Sequence, residues 1–208
     1  MFMFKDRYDA AQQLARKLIK YKNNPNTVII AIPRGALEIG YVLAKELHLP
    51  LDVVLIKKIG APGNPELAIG ALSMHSRILD PSFSVDMKYV EEETMRLKNL
   101  LKERYKNYYK KNKPIDLKNK IVILTDDGIA TGNTMFAAVN LIQEQEPQKI
   151  IIALPVGPTD TIKQLKEKVD IVICLLTPEP FYAIGAFYQN FAQVDDTEAI
   201  RLLHEANT

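Results

Sequence analysis

The sequence predicts an α/β fold with a mostly parallel central sheet of about five strands flanked by helices. The first observation is a set of short apolar runs that are nearly continuous in Val, Ile and Leu. Strands buried on both faces have this composition, which is typical of parallel sheets. The second observation is that segments with helical spacing of apolar residues separate most of these runs.

Five strands and four helices follow from this pattern. The strands are predicted at residues 27–32, 51–56, 121–124, 150–154 and 169–175. The helices are predicted at residues 8–19, 36–47, 90–111 and 135–145. We therefore expect one domain that covers residues 1–208, without an interdomain linker or an internal repeat.

Two segments interrupt the alternation of strands and helices. Residues 58–70 contain three glycines and two prolines, which argues against a regular element across most of them, and we expect a flexible loop at about 58–80. The second segment is rich in aromatic residues and lies at about 177–196. We expect it to form a small C-terminal cap.

The composition is that of an ordinary globular protein. Hydrophobic residues make up 47% of the 208 residues, charged residues 25%, and the formal net charge is +2. This charge is too small to indicate a nucleic-acid or membrane partner by itself. The first residues lack a signal-peptide pattern and no apolar run approaches the length of a membrane span, so we expect a cytoplasmic protein.

Basic residues are concentrated in the predicted helix at 90–111 and shortly after it. A nucleic-acid-binding patch is one interpretation of this segment. However, Tyr105, Tyr108 and Tyr109 have helical packing spacing, and the lysines are spread around the remaining faces. A solvated basic helix is the better interpretation, and we expect no nucleic-acid partner.

Residues 121–134 carry most of the functional information. An apolar run ends at two adjacent acids, Asp126 and Asp127, and a small-residue turn then precedes a helix. Such a turn directs backbone N–H groups and a helix N-terminus at one point, which suits a phosphate. The acids could accept hydrogen bonds from sugar hydroxyls, so the pattern predicts a ribose 5-phosphate site. The alternative is a structural turn in which the acids act only as caps.

The segment 126–134, Asp-Asp-Gly-Ile-Ala-Thr-Gly-Asn-Thr, resembles the phosphoribosyl pyrophosphate (PRPP) signature of the type I phosphoribosyltransferases. The resemblance implies that fold and a transfer of ribose 5-phosphate from PRPP to a nitrogenous acceptor, with release of pyrophosphate. Asp126 and Asp127 would hold the ribose hydroxyls and act in catalysis. The 5-phosphate would be bound by Ala130, Thr131, Gly132, Asn133 and Thr134.

The resemblance extends to two further segments. Ile32-Pro33-Arg34-Gly35-Ala36 follows the first strand, where the family carries its pyrophosphate loop, often with a strained peptide bond. The resemblance implies that Arg34 and Gly35 bind the pyrophosphate and that Arg34 also acts in catalysis. Arg34 supplies a planar set of donors for phosphate oxygens, and Gly35 lets the backbone approach the pyrophosphate closely. The alternative is a surface arginine in a strand–helix turn. Lys57 and Lys58 end the second predicted strand and open the loop that closes over PRPP in the family. Either lysine could neutralise pyrophosphate, and either could equally be a solvated strand end.

The acceptor is the least defined part of this prediction. In the family the C-terminal cap is a variable hood over the acceptor, a nucleobase being expected here, which makes Phe181 and Tyr182 candidate contacts. They could equally be packing residues of the cap. Glu66 is a candidate for handling the acceptor proton. Ala130 occupies the position where family members that act on 6-oxopurines carry an acid. This difference argues against a 6-oxopurine as the acceptor.

The remaining expectations concern the metal, the partners and one alternative function. Mg²⁺ is expected as cofactor, bound through PRPP and not by a protein cage, because it prefers oxygen ligands and often arrives with phosphates. His48, His75 and His204 lack the spacing of a zinc site. A homodimer is possible, as in many family members. The alternative function is a non-catalytic regulatory protein that binds PRPP or a nucleotide.

Overall fold

The computed structural model describes residues 3–74, 76–110 and 113–208, apart from the side chain of Glu66. The elements, in chain order, are α1 (Arg7–Lys17), β1 (Thr27–Ala31), α2 (Ala36–Leu47), β2 (Leu51–Val53), β3 (Lys57–Ala61), β4 (Asn64–Leu72), β5 (Arg77–Leu79), α3 (Met87–Tyr109), β6 (Ile121–Thr125), α4 (Asn133–Gln143), β7 (Lys149–Val156), α5 (Thr159–Lys166), β8 (Ile171–Leu176) and α6 (Asp196–Ala206). Short 3₁₀ segments occur at Ile19–Tyr21 and Ile184–Phe187.

Five strands form the central sheet, in the order β2-β1-β6-β7-β8, and every neighbouring pair is parallel. Alternate residues enter two separate cores. Ile29, Ile123 and Ile151 pack against the side of the sheet that α1, α2 and α6 cover. Val28, Val122 and Ile150 pack against α4 and α5 on the other side. The predicted α/β fold with a parallel sheet between two helical layers is confirmed.

Strands β3, β4 and β5 form a second, antiparallel sheet, so the prediction that most of residues 58–70 lacks a regular element is wrong. The flexibility of the segment at about 58–80 stays a prediction. The glycines and prolines are accommodated by register shifts on either side of Gly60. A Cβ atom at Gly60 would lie 2.6 Å from the Pro65 carbonyl oxygen, and Gly63 has a φ of +74° in the connecting turn. Glycine therefore permits a close strand pair and a tight turn here, where the sequence suggested only a loop.

Helix α3 lies close to the helix predicted at 90–111, of which Lys111 falls outside the described residues. Its last turn is fixed to the edge of the central sheet, because the Tyr109 hydroxyl donates to Asp52 Oδ1 at 2.6 Å. Arg104, Arg96 and Lys106 each form an ion pair with an acidic side chain. The absence of a nucleic-acid partner stays a prediction.

The other predicted helices agree with α1, α2 and α4 to within a few residues, whereas the sequence pattern does not predict α5 and α6 individually. In the part of the chain that the structure describes, no helix combines the length and apolarity needed to cross a membrane.

Candidate active site

The two loops that the sequence singled out lie side by side. Strands β1 and β6 are parallel neighbours, with Ala31 opposite Thr125, and the Ile32 amide donates to the Thr125 carbonyl at 3.2 Å. The turn after β1 and the acids after β6 therefore meet at the carboxyl edge of the sheet. This is the edge at which open α/β sheets bind their ligands.

The turn at residues 130–134 forms an anion-binding loop. Within the described part of the chain, the backbone N–H groups of Ala130, Thr131 and Gly132 donate to no other group. The first N–H groups of α4, which begins at Asn133, have no acceptor inside the helix. Thr131 and Thr134 are exposed beside these amides. The loop thus presents several donors and a helix N-terminus at one place.

Helix α5 and a left-handed residue hold this loop in shape. The Thr161 hydroxyl donates to the Ala130 carbonyl at 3.0 Å. Gly132 has a φ of +77°, and a Cβ atom there would lie 2.6 Å from Thr161 Cγ2. Glycine is required at this position both by the backbone conformation and by the close approach of α5.

Asp126 and Asp127 are half-buried at the end of β6. The Asp127 amide donates to Asp126 Oδ1 at 2.8 Å. Burial, together with the neighbouring charge of Asp127, raises the pKa of Asp126 well above its usual range. Burial also raises the pKa of Asp127, although the charge of Arg7 opposes this effect.

Arg7 is a site residue that the sequence prediction missed. It lies in the first turn of α1, 5% exposed, and its Nε donates to Asp127 Oδ2 at 2.7 Å. Its Nη1 donates to the Ala192 carbonyl at 2.8 Å and to Glu38 Oε2 at 3.2 Å. The second acid of the signature is therefore paired with a cation from the first helix, 120 positions earlier in the sequence.

The turn after β1 contains Arg34 and Gly35, as predicted, and its Pro33–Arg34 peptide bond is cis. Arg34 is half-buried. Burial opposes the ionisation of Asp196, but a hydrogen bond from Tyr108 and the charges of Arg104 and Arg34 lower the pKa of Asp196. The positive charge of Arg34 thus reaches the start of α6.

Gly35 lies against the acidic pair as well as beside Arg34. A Cβ atom at this position would overlap the Asp127 carboxylate oxygen and would lie 3.2 Å from Arg7 Nε. The sequence predicts only that this glycine lets the backbone approach a phosphate. The structure gives it a further role, which is to leave space for the Asp127–Arg7 pair.

Lys57 and Lys58 open β3 and do not end the second strand, which stops at Val53. Adjacent residues of a strand point to opposite faces, so the two lysines do not share one environment. Lys58 lines a cleft of about 440 Å³ between the antiparallel sheet and α4, and Asn133 of the anion-binding loop lines it too. Of the two lysines among the predicted pyrophosphate contacts, Lys58 is the one that lines this cleft beside the loop.

The aromatic segment forms a cap that is joined to the N-terminus. Phe181 packs against Phe187 with 5.4 Å between the ring centroids, whereas Tyr182 is 85% exposed. The Phe4 amide donates to the Phe187 carbonyl at 3.0 Å, and the Gln189 amide donates to the Phe4 carbonyl at 2.9 Å. Phe181 therefore serves packing here, and the acceptor roles of both aromatic residues stay predictions.

Two further sequence predictions concern Glu66 and the metal ion. The side chain of Glu66 lies outside what the structure describes, so its role with the acceptor stays a prediction. Among the residues described, no group of three or more His, Cys, Asp or Glu side chains could hold a metal ion. Binding of Mg²⁺ through PRPP stays a prediction.

The sheet order, the acidic pair after β6 and the anion-binding loop define the type I phosphoribosyltransferase fold. The sequence model described as "Phosphoribosyl transferase domain" matches residues 3–187. The chain belongs to this phosphoribosyltransferase family.

One curated relative and one solved structure match all or nearly all of this chain. A curated relative from Mycobacterium tuberculosis strain H37Rv, named "Putative phosphoribosyl transferase Rv0571c", is 34% identical over 212 residues, covering 100% of this chain and 48% of the relative. The chain thus spans about half the length of the curated relatives it matches. The crystal structure of TT1426 from Thermus thermophilus has a TM-score of 0.85 at 34% identity and covers 99% of each chain.

A more distant structure shares only the fold. It is a hypothetical protein from Neisseria gonorrhoeae crystallised with bound ppGpp, with a TM-score of 0.53 at 14% identity. It covers 98% of this chain and 94% of its own.

Proposed function

We propose that this protein is a magnesium-dependent phosphoribosyltransferase that transfers ribose 5-phosphate from PRPP to a nitrogenous acceptor, such as a nucleobase, and releases pyrophosphate. The observation that carries the proposal is the juxtaposition of three groups at neighbouring strand ends. These are the backbone amides at 130–132, which donate to no other group within the described residues, the acids Asp126 and Asp127, and the Arg34 turn. PRPP carries a phosphate, a vicinal diol and a diphosphate, and each group would meet one of these elements.

The roles follow from the chemistry of each group. The amides and the Thr131 and Thr134 hydroxyls would bind the 5-phosphate, and Asp126 and Asp127 would accept hydrogen bonds from the ribose hydroxyls. Arg34, the Gly35 amide and Lys58 would bind the pyrophosphate. A carboxylate near the ribose also stabilises positive charge that develops on the ring in the transition state.

The reaction exchanges one bond to C1 of the ribose for another. The bond between C1 and the pyrophosphate oxygen breaks, and its electron pair leaves with the pyrophosphate. A bond between C1 and the acceptor nitrogen forms, and the proton that this nitrogen loses passes to the departing pyrophosphate or to water. Mg²⁺, when bound to the phosphates of PRPP, would neutralise part of their charge. The protein's own contribution would be the orientation of the donor and the electrostatic environment of C1.

A pyrophosphate-release assay tests this proposal. Purified protein is incubated with PRPP, Mg²⁺ and a library of purine bases, pyrimidine bases and small amines. We expect release that depends on one class of acceptor and that is lost in Asp127→Asn. Asp116→Asn is the matched control, because Asp116 is an exposed acid that precedes β6 at the opposite edge of the sheet.

Pyrophosphate release, together with a measurement of thermal stabilisation by PRPP, distinguishes the alternative function. If PRPP stabilises the protein but no acceptor across the library produces pyrophosphate, the chain is a PRPP-binding regulatory protein. If PRPP neither binds nor turns over, the assignment of the site itself is wrong.

A further inference from the structure

Arg7 joins three parts of the molecule that are far apart in the sequence. Its side chain is 6% exposed and that of Asp127 is 13% exposed, so the pair is largely shielded from water. The same guanidinium donates to the Ala192 carbonyl in the cap and to Glu38 on α2. A buried guanidinium with three acceptors is held in one orientation, because Arg presents a rigid planar set of donors.

The cap encloses this pair from its other side. The Arg7 guanidinium lies 3.8 Å from the centroid of the Phe191 ring, a cation–π contact. Phe191 in turn stacks on Tyr188, with 4.9 Å between the centroids. The Tyr188 hydroxyl donates to the Asp127 carbonyl at 2.6 Å. The cap therefore contacts both the main chain of Asp127 and the cation that binds its carboxylate.

We propose that Arg7 is a positioning residue, which fixes the Asp127 carboxylate for the ribose and joins this carboxylate to the cap. Arg7 Nε occupies one lone pair of Oδ2, and an ionised carboxylate has further lone pairs that can accept a hydrogen bond from a sugar hydroxyl. Arg7 itself need not touch the substrate. This role rests on the proposed function, in which Asp127 binds the ribose of PRPP.

The groups around Asp127 determine how its pKa should respond when Arg7 is replaced. Arg7 from α1 is the cation that faces this carboxylate, and the carboxylate of Asp126 lies beside it. Glu38 from α2 contacts the far side of Arg7, and the Tyr188 phenol from the cap reaches the Asp127 main chain. Cys174 on β8 lies near Tyr188. Removing Arg7 takes away the cation and the hydrogen bond that favour the ionised form of Asp127, which raises the pKa of Asp127 further.

The test compares the pH dependence of PRPP binding in four proteins: the wild type, Arg7→Met, Arg7→Lys and Arg16→Met. Arg16 is an exposed arginine on the same helix and serves as the control. In Arg7→Met we expect the acid limb of PRPP binding to move to higher pH and the affinity at pH 7 to fall about tenfold or more. Arg7→Lys should recover the pH dependence without the full affinity, because Lys keeps the charge but not the planar donors.

A second measurement does not depend on PRPP. The Asp127 carboxyl is titrated by carbon-detected NMR in the ligand-free protein, and its signal is assigned by its loss in Asp127→Asn. We expect a higher pKa in Arg7→Met than in the wild type or Arg16→Met, and recovery in Arg7→Lys. If Arg7→Met folds and neither the titration nor the binding profile moves, or if Arg7→Lys matches Arg7→Met in both, Arg7 has only a structural role.

The two measurements separate this proposal from the proposed function. Failure of the wild type to bind PRPP overturns the proposed function, and the carboxyl titration then decides whether Arg7 controls Asp127. Binding by the wild type together with unchanged profiles in both Arg7 variants overturns the positioning role alone.

Discussion

Gly35→Ala changes one hydrogen to a methyl group, yet it should disturb the centre of the site. Gly35 has φ −56° and ψ −34°, a conformation that alanine adopts without strain. Through the backbone alone, the substitution should stabilise the protein by about 0.4–1 kcal/mol, because it restricts the unfolded chain. Any loss of stability must therefore come from contacts of the new methyl group.

Those contacts determine how much unfolding free energy Gly35→Ala should cost. The methyl carbon would lie 3.0 Å from Asp127 Cγ and would overlap Oδ2, so the carboxylate must move away from Arg7. Loss of a hydrogen bond between charged groups costs about 1.5–3 kcal/mol. After the backbone gain is subtracted, Gly35→Ala should lower the free energy of unfolding by about 0.5–2.6 kcal/mol.

Urea denaturation measures this loss. With a slope of about 2 kcal/mol per molar urea, the midpoint should fall by about 0.3–1.3 M. The same substitution is then made in an Asp127→Ala background, where the carboxylate is absent. There it should be neutral or stabilising, so the difference between the two backgrounds isolates the contact. An equal cost in both backgrounds, or a Gly35→Ala protein as stable as the wild type, would refute the reasoning.

Two further predictions concern the anion-binding loop and the acidic pair. Gly132→Ala should cost about 1–2 kcal/mol of unfolding free energy for its left-handed backbone alone, and it should weaken PRPP binding in calorimetry. Asp126→Asn should stabilise the ligand-free protein while weakening PRPP binding. The raised pKa of Asp126 means that the folded state binds more protons than the unfolded state, so wild-type stability falls as the pH rises from about 4 to the folded-state pKa. The stability gain of Asp126→Asn should therefore be absent below about pH 4 and grow through that window; a gain that is constant with pH contradicts this cause.

The fold was predictable where burial alone determines the sequence. Strands β1, β6 and β7 are covered on both faces, and this requires the nearly unbroken apolar runs that identified them. The antiparallel sheet at Lys57–Leu79 was not predictable in the same way. Its glycines permit close contacts between strands, such as that of Gly60 with Pro65, and these contacts are invisible until the partner strand is known.

Some parts of the site could be predicted from the sequence and others could not. The anion-binding loop and the acidic pair are contiguous in sequence, so their residue types alone indicated their chemistry. The pair of Arg7 and Asp127 joins residues 120 positions apart, and no local motif contains both. One signal was present. Arg7 lies on the same face of α1 as Ala10, Ala11 and Leu14, and a charged residue on a buried helical face requires a partner.

The most direct test of the central claim is a titration of the wild-type protein with PRPP and Mg²⁺, followed by calorimetry and thermal unfolding. The site predicts saturable binding and a higher unfolding temperature, because a ligand at 100 times its Kd stabilises the folded state by about 2.7 kcal/mol. Asp127→Asn and Thr131→Ala should each weaken this effect, whereas Asp116→Asn should retain it. Absence of heat and of thermal stabilisation at millimolar PRPP would contradict the assignment of the sheet edge as a PRPP site.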